Sequence, residues 1–265
     1  MPKVRVGDIN IYYEVHGEGP PLVMIMGLSA NVDWWHPYVI EQFSKHFKTV
    51  IFDNRGAGRT DKPAIDYSIR MFADDTVGLM DALGIRRAHI LGVSMGGMIG
   101  QEIALSYPER VDKLVLVSTT CGGPHSIPVP QETLNKMLNR EGMTDEERMR
   151  LTVELLYPDE YREKNPELME EALRRLMIAP IPLDAYMRQL QAGSQFDSYD
   201  RLPNIRAPTI ILTGKKDVLL PWENSKILAE RIPGAKLVTF EESGHGMVSQ
   251  NAEEFCREVI EFLKS

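Results

Sequence analysis

The sequence predicts an α/β fold: a mainly parallel sheet with helices on both faces, interrupted once by a helical insertion. Three observations carry this expectation. Short β-branched apolar runs alternate with helix-like stretches along most of the 265 residues. Most of these runs are solidly apolar rather than alternating, as strands buried on both faces are. The strand signal also vanishes between Gly122 and Ser198 and then returns. The length fits one domain of ordinary size carrying an inserted subdomain. With 43% hydrophobic and 26% charged residues, such a chain fills a core without disulfide staples.

Along the chain, the first strand is expected over residues 11–15. It ends at Gly17-Glu-Gly-Pro-Pro21 and reads as an antiparallel lead-in hairpin. Strands follow at 22–26, 49–52, 89–93 and 114–117, and a helix over 95–107 is closed by Pro108. Within the insertion, Thr144-Asp-Glu-Glu147 has the spacing of a capping box, and Met149, Val153 and Leu156 share one helical face. Asn165-Pro166-Glu167 reads as an N-cap, a first helical residue and a first-turn acid. Leu168, Met169, Ala172, Leu173, Leu176 and Met177 supply the amphipathic stripe behind it. Leu183, Tyr186, Met187 and Leu190 repeat that spacing. Six of the 14 methionines fall in this segment, and their stripes read as packing against the main domain. The last strands are expected at 210–213 and 236–240, with a closing helix over 252–263.

A net charge of −8 and a pI near 5.4 argue against a broad hold on nucleic acid or on a membrane surface. The insertion alone, with nine Lys and Arg against fourteen Asp and Glu, supplies −5 of that charge. Cys121 and Cys256 form no ligand-spaced set, and their sparse usage suits a reducing compartment. Charges in the first eight residues stand where a signal peptide needs an apolar region. The expectation is a cytoplasmic protein.

Gly92-Val-Ser94-Met-Gly96 has the form G-x-S-x-G. The pattern is weak alone, but here a strand leads into it and a helix leaves it. So sharp a turn strains the serine backbone and holds its hydroxyl clear of the sheet, beside a helix amino terminus. A serine nucleophile needs a base, and the base needs an orienting carboxylate. Six histidines compete. His16, His46 and His89 sit at strand or helix positions and read as structural, while His36 and His125 lack a presenting loop. His245, in Ser243-Gly-His-Gly246, follows the last strand, and its flanking glycines suit a presenting loop. Asp217 lies on the loop past the 210–213 strand, at the sheet edge where ligands bind in open α/β folds. Asp197 and Asp200 are the reserve candidates for the acid. Gly56-Ala-Gly58 lacks the third glycine of a dinucleotide fingerprint, no phosphate-loop motif occurs, and no set has metal-ligand spacing. No cofactor and no metal are expected. Asp53-Asn-Arg55 is expected to tie loops together by salt bridges.

Taken together, the lead-in at 11–17, the loop after 22–26, Asp53-Asn-Arg-Gly-Ala-Gly58, the serine elbow, Gly214-Lys-Lys-Asp217 and Ser243-Gly-His245 resemble the α/β-hydrolase fold family. The likeness is to its small esterase, lactonase and haloperoxidase-like branch, and it runs nearly end to end. It implies an eight-stranded core over 1–122 and 199–265, with a helical cap over 123–198 inserted after the sixth strand. It also implies an oxyanion hole made by the backbone N–H groups of Met95 and Leu28. Met26 replaces a histidine usual in that loop, which removes a polar group able to brace it. Gly27, Trp34 and Trp35 are the expected substrate-binding residues, with Leu28 and the inner faces of the cap helices completing an apolar pocket. The expected activity is hydrolysis of small to medium carboxylic esters by Ser94, His245 and Asp217, in a monomer or homodimer. Because histidine must be neutral to accept a proton, activity should fall on acidification. Lactone, thioester or carbon–carbon bond hydrolysis would use the same residues, and a small-molecule receptor could keep them intact.

Overall fold

The computed structural model describes residues 2–265. Eight strands form one sheet: β1 (Lys3–Val6), β2 (Ile9–His16), β3 (Pro21–Ile25), β4 (Lys48–Phe52), β5 (Ala88–Val93), β6 (Val111–Val117), β7 (Thr209–Gly214) and β8 (Lys236–Phe240). Their spatial order is β1-β2-β4-β3-β5-β6-β7-β8. Pairing is parallel from β4 to β8, while β2 runs antiparallel to both β1 and β4. The helices are α1 (Pro37–Ser44), α2 (Ile69–Ala82), α3 (Met95–Ser106), α4 (Gln131–Leu138), α5 (Asp145–Leu156), α6 (Asp159–Lys164), α7 (Pro166–Leu176), α8 (Leu183–Ser194), α9 (Glu223–Arg231), α10 (Met247–Gln250) and α11 (Ala252–Lys264).

The solid apolar runs have the expected cause. Successive strand residues point to opposite faces, and here both faces are covered. Val23 and Ile25 of β3 join one core with Ile90, Leu114 and Leu116, covered by α2, α3 and α9. Leu22 and Met24 join the other with Leu91, Val115 and Val117, covered by α1 and α11. There Phe43 meets Phe255 edge to face at 6.0 Å. Cys121 and Cys256 are buried, unpaired and on opposite sides of the sheet. Among the described residues, no helix is long and apolar enough to cross a membrane.

One expectation is corrected. The lead-in hairpin pairs β2 with the preceding β1, not with the strand that follows; residues 17–20 instead carry the chain to β3, which pairs with β4 and β5. β1 escaped notice because it is a four-residue edge strand whose Lys3 and Arg5 are exposed while only Val6 is fully buried. Asn165, Pro166 and Glu167 take the N-cap, first and first-turn positions of α7 as expected, although the Asn165 side chain makes no cap bond and its amide donates to the Tyr161 carbonyl. The capping box at Thr144 and Glu147 forms as expected at the start of α5.

Helices α4 to α8 lie between β6 and β7. The chain leaves and rejoins the sheet side by side, where Gly122 bridges Asp197 and the Ser198 N–H donates to the Cys121 carbonyl at 2.9 Å. The inserted helices have a small core of their own around Met149, Val153, Leu173 and Leu176. Met169 and Met177 pack against it, Met187 is exposed, and Met137 faces the cavity described below.

Candidate active site

Strand order fixes where the site lies. From β3 the chain crosses to β4 on one side, and β5 pairs on the other, so the order reverses at the carboxyl ends of β3 and β5. The loop at 26–30 and the turn at Ser94 open at that point.

Ser94 has φ +57° and ψ −121°, in the left-handed half of backbone space where a non-glycine residue is strained. Its neighbours hold it there. The Ser94 N–H donates to the Val117 carbonyl at 2.8 Å, and the Ser94 carbonyl accepts from Gly97 N–H and Thr119 Oγ1. The two glycines of the motif have a steric cause. A Cβ on Gly92 would lie 2.1 Å from the Gly96 carbonyl oxygen, and one on Gly96 would lie 2.1 Å from that of Ile25.

Asp217 and His245 come from adjacent loops stitched by backbone. Lys216 N–H donates to the Ser243 carbonyl and Lys215 N–H to that of Phe240, both at 2.9 Å. His245 Nδ1 donates to Asp217 Oδ2 at 2.6 Å, which leaves Nε2 as the acceptor nitrogen. Asp217 Oδ1 accepts the N–H groups of Leu219 and Leu220, so the fully buried carboxylate has partners for both oxygens. The glycines flanking His245 serve close approach: a Cβ on Gly244 would strike the Leu156 carbonyl and one on Gly246 the Tyr157 ring. The Gly246 N–H donates to that Leu156 carbonyl at 2.8 Å, joining the histidine loop to the insertion.

Ser94 and His245 line one cavity of about 530 Å³, together with Gly27, Leu28, Trp34, Trp35 and Met95. The opposite wall is apolar and comes from the insertion, including Leu134, Leu155, Leu156, Leu176 and Leu190. Among the described residues, no hydrogen bond joins Ser94 Oγ to the imidazole, and neither the Leu28 nor the Met95 N–H is taken by a protein acceptor. Trp35 is also part of the core, and Trp34 packs both on that core and on the insertion. Both indole N–H groups are buried without a partner, as is His36 Nδ1. Burial and the nearby Arg175 hold the His36 imidazole below its ordinary pKa.

Although Met26 stands in the loop after β3, that loop is braced. Asn54 Nδ2 donates to the Met26 carbonyl, Ser29 N–H to Gln189 Oε1, and Val32 N–H to Asp53 Oδ1. Gln189, fully buried on α8, also donates to the Arg55 carbonyl at 2.7 Å. Nothing in the sequence marks it, since a glutamine on a helix is ordinary. The Asp53-Asn-Arg55 segment ties loops as expected, with Arg55 bonded to both Asp75 and Asp8. The other candidates are elsewhere. His125 stacks on Tyr199 at 3.9 Å, His89 is buried against Phe47, and Asp197 caps the Tyr199 N–H in the stem of the insertion. Asp200 lies in the helical turn over Tyr199–Asn204. Among the described residues, no group of three or more His, Cys, Asp or Glu is placed to hold a metal ion.

Comparison with known proteins agrees with this architecture. The chain is 30% identical over 263 residues to a protein of Azorhizobium caulinodans named "Putative carbamate hydrolase RutD", covering 99% of this chain and 98% of that one. An enol-lactonase from Burkholderia xenovorans superposes with a TM-score of 0.89 over the whole of both chains at 24% identity. An esterase from Exiguobacterium antarcticum does so with a TM-score of 0.87 over 99% of each chain at 26% identity. The model of the α/β hydrolase fold matches residues 20–252, and with the sheet, the strained serine turn and the paired loops already in view, the chain belongs to the α/β-hydrolase fold family and is a hydrolase.

Proposed function

We infer that the protein hydrolyses carboxylic esters of small to medium acyl groups through an acyl-enzyme. The observation that carries this reading is the 2.6 Å bond between His245 Nδ1 and a fully buried Asp217, with His245 and the strained Ser94 facing one apolar cavity. Ser94 Oγ attacks the acyl carbon while His245 Nε2 takes its proton. Asp217 holds the tautomer and stabilises the imidazolium that forms. The free N–H groups of Leu28 and Met95 receive the developing oxyanion. His245 returns the proton to the departing alcohol, and a water molecule, activated by the same imidazole, releases the acid. Bound substrate completes the alignment of the serine hydroxyl, which carries no bond to the imidazole beforehand.

The similarity to an esterase at 26% identity accords with an ester, while the relative named a carbamate hydrolase and the enol-lactonase show that the same fold serves other acyl bonds. A cavity of about 530 Å³ suits a compact substrate. Two buried, unpaired cysteines, one with its thiol pushed up to about 12 by burial, accord with a cytoplasmic setting. The test is release of p-nitrophenol from a series of acyl esters, with Ser94→Ala as control. Sustained turnover that falls by roughly 10⁴-fold or more in the variant is expected. A single stoichiometric burst that stalls would mark a receptor, and release unaffected by Ser94→Ala would overturn the reading.

A further inference from the structure

The charge on the cavity wall runs against that of the chain. The protein carries −8 overall, yet its cavity is lined by two arginines, Arg140 and Arg175, and by no aspartate or glutamate. Arg140 follows α4 and is only 4% exposed. Its Nη1 donates to Thr152 Oγ1 at 3.2 Å, its Nε reaches the Lys136 carbonyl at 3.4 Å, and its guanidinium lies 4.7 Å from the centre of the Tyr186 ring. Nη2 has no protein acceptor and no carboxylate pairs with this side chain among the described residues. Arg55, buried to the same degree, shows the ordinary arrangement, with Asp8 and Asp75 both bonded to it.

A guanidinium stays charged at neutral pH, and burying it without a counter-charge is unfavourable. Burial and the neighbouring Arg148 accordingly pull the Arg140 pKa down from its usual range. Arg175 adds to the same field. It is bonded to Glu171, whose carboxylate is about half exposed, while its Nε is buried without an acceptor. A cavity with apolar walls and unneutralised arginine favours an anion, and a carboxylate fits the planar fork of donors in two parallel bonds.

We propose that the substrate is an ester carrying a carboxylate away from the scissile bond, with Arg140 receiving that carboxylate while the scissile carbonyl sits at Ser94. This rests on the reading of Ser94 as nucleophile. The chemistry is otherwise unchanged: the Ser94 Oγ–acyl bond forms as the ester C–O bond breaks, the alcohol leaves with the proton from His245, and water then yields the acid. The remote carboxylate takes no part in bond exchange and acts through binding.

The test compares size-matched esters with and without the charge. On the acyl side the pair is p-nitrophenyl hydrogen glutarate and p-nitrophenyl valerate; on the alcohol side it is 4-carboxyphenyl and 4-carbamoylphenyl butyrate. In the wild type, kcat/KM for the charged member of one pair should exceed that of its neutral partner by about 10-fold or more. That ratio should fall at least 10-fold in Arg140→Met and be partly kept in Arg140→Lys. Glutarate should compete with substrate better than valerate does in the wild type, a comparison that needs no variant. A ratio at or below one in both pairs, or one unmoved by Arg140→Met, would overturn the proposal, as would a melting temperature that drops in Arg140→Met with selectivity intact. Calorimetric binding of monomethyl glutarate to Ser94→Ala, lost in Ser94→Ala with Arg140→Met, is expected whether or not esters turn over. Absence of Ser94-dependent hydrolysis with that binding kept would overturn the proposed function and the ester part of this proposal while leaving Arg140 as a carboxylate site, and Ser94-dependent hydrolysis without that binding would sink this proposal alone.

Discussion

Gly27 shows how little room Ser94 has. A Cβ there would lie 2.8 Å from the Ser94 Cβ and 3.3 Å from its Oγ, with the Val93 carbonyl at 3.0 Å. Gly27→Ala must therefore push the serine or the loop that carries Leu28, and an error of about 1 Å in such geometry costs on the order of 100-fold. Steady-state kinetics should show a comparable loss in kcat with a small change in melting temperature. At this scale Ser94, Asp217 and His245 were legible, because each sits in a short motif whose neighbours are dictated by sterics or backbone bonding. Arg140 and Gln189 were not. Their importance comes from what lies around them after folding: an arginine just past the end of α4 and a glutamine on α8 are ordinary in sequence.

Among the elements, α5 is the one whose start the sequence spells out, since Thr144 and Glu147 satisfy each other's backbone N–H groups. Thr144→Ala should cost about 1 kcal/mol, a fall of about 2–4 °C in melting temperature by calorimetry. Asn165 also takes the expected N-cap position of α7, but without a side-chain cap bond, and its amide donates to the Tyr161 carbonyl of the preceding short helix α6. The local signal places the helix start, and a nearby partner decides what the capping side chain bonds. Strand β1 has no such local signal: four residues with two exposed charges carry little periodicity, and the strand exists because β2 offers it an edge.

Two buried polar clusters hold the whole molecule together across elements. Arg55 joins β4's exit loop to Asp75 on α2 and to Asp8 between β1 and β2. Burial raises the Asp75 carboxyl pKa while Arg55 opposes that rise. Arg55→Leu should destabilise the fold by about 3–5 kcal/mol at pH 7, by urea unfolding. The deficit should narrow on acidification. Without Arg55 the folded-state pKa of Asp75 rises further above its unfolded value, so the variant's stability is fullest at low pH and is lost as pH rises through the folded value. Gln189 joins the insertion to the loop at 26–30. Gln189→Leu strands the Ser29 N–H and the Arg55 carbonyl, at about 1–3 kcal/mol each, and should lower kcat by roughly 10-fold to 100-fold as the Leu28 donor shifts. The sequence by itself determined the layered sheet, the interruption between Gly122 and Ser198, and the serine, aspartate and histidine, since apolar periodicity and turn sterics are local properties. Tertiary structure alone decided that the insertion braces the loop at 26–30 and that Arg140, with no carboxylate partner among the described residues, lines an apolar cavity. Those facts depend on which surfaces meet across more than a hundred residues, and on the absence of a carboxylate where one would ordinarily be.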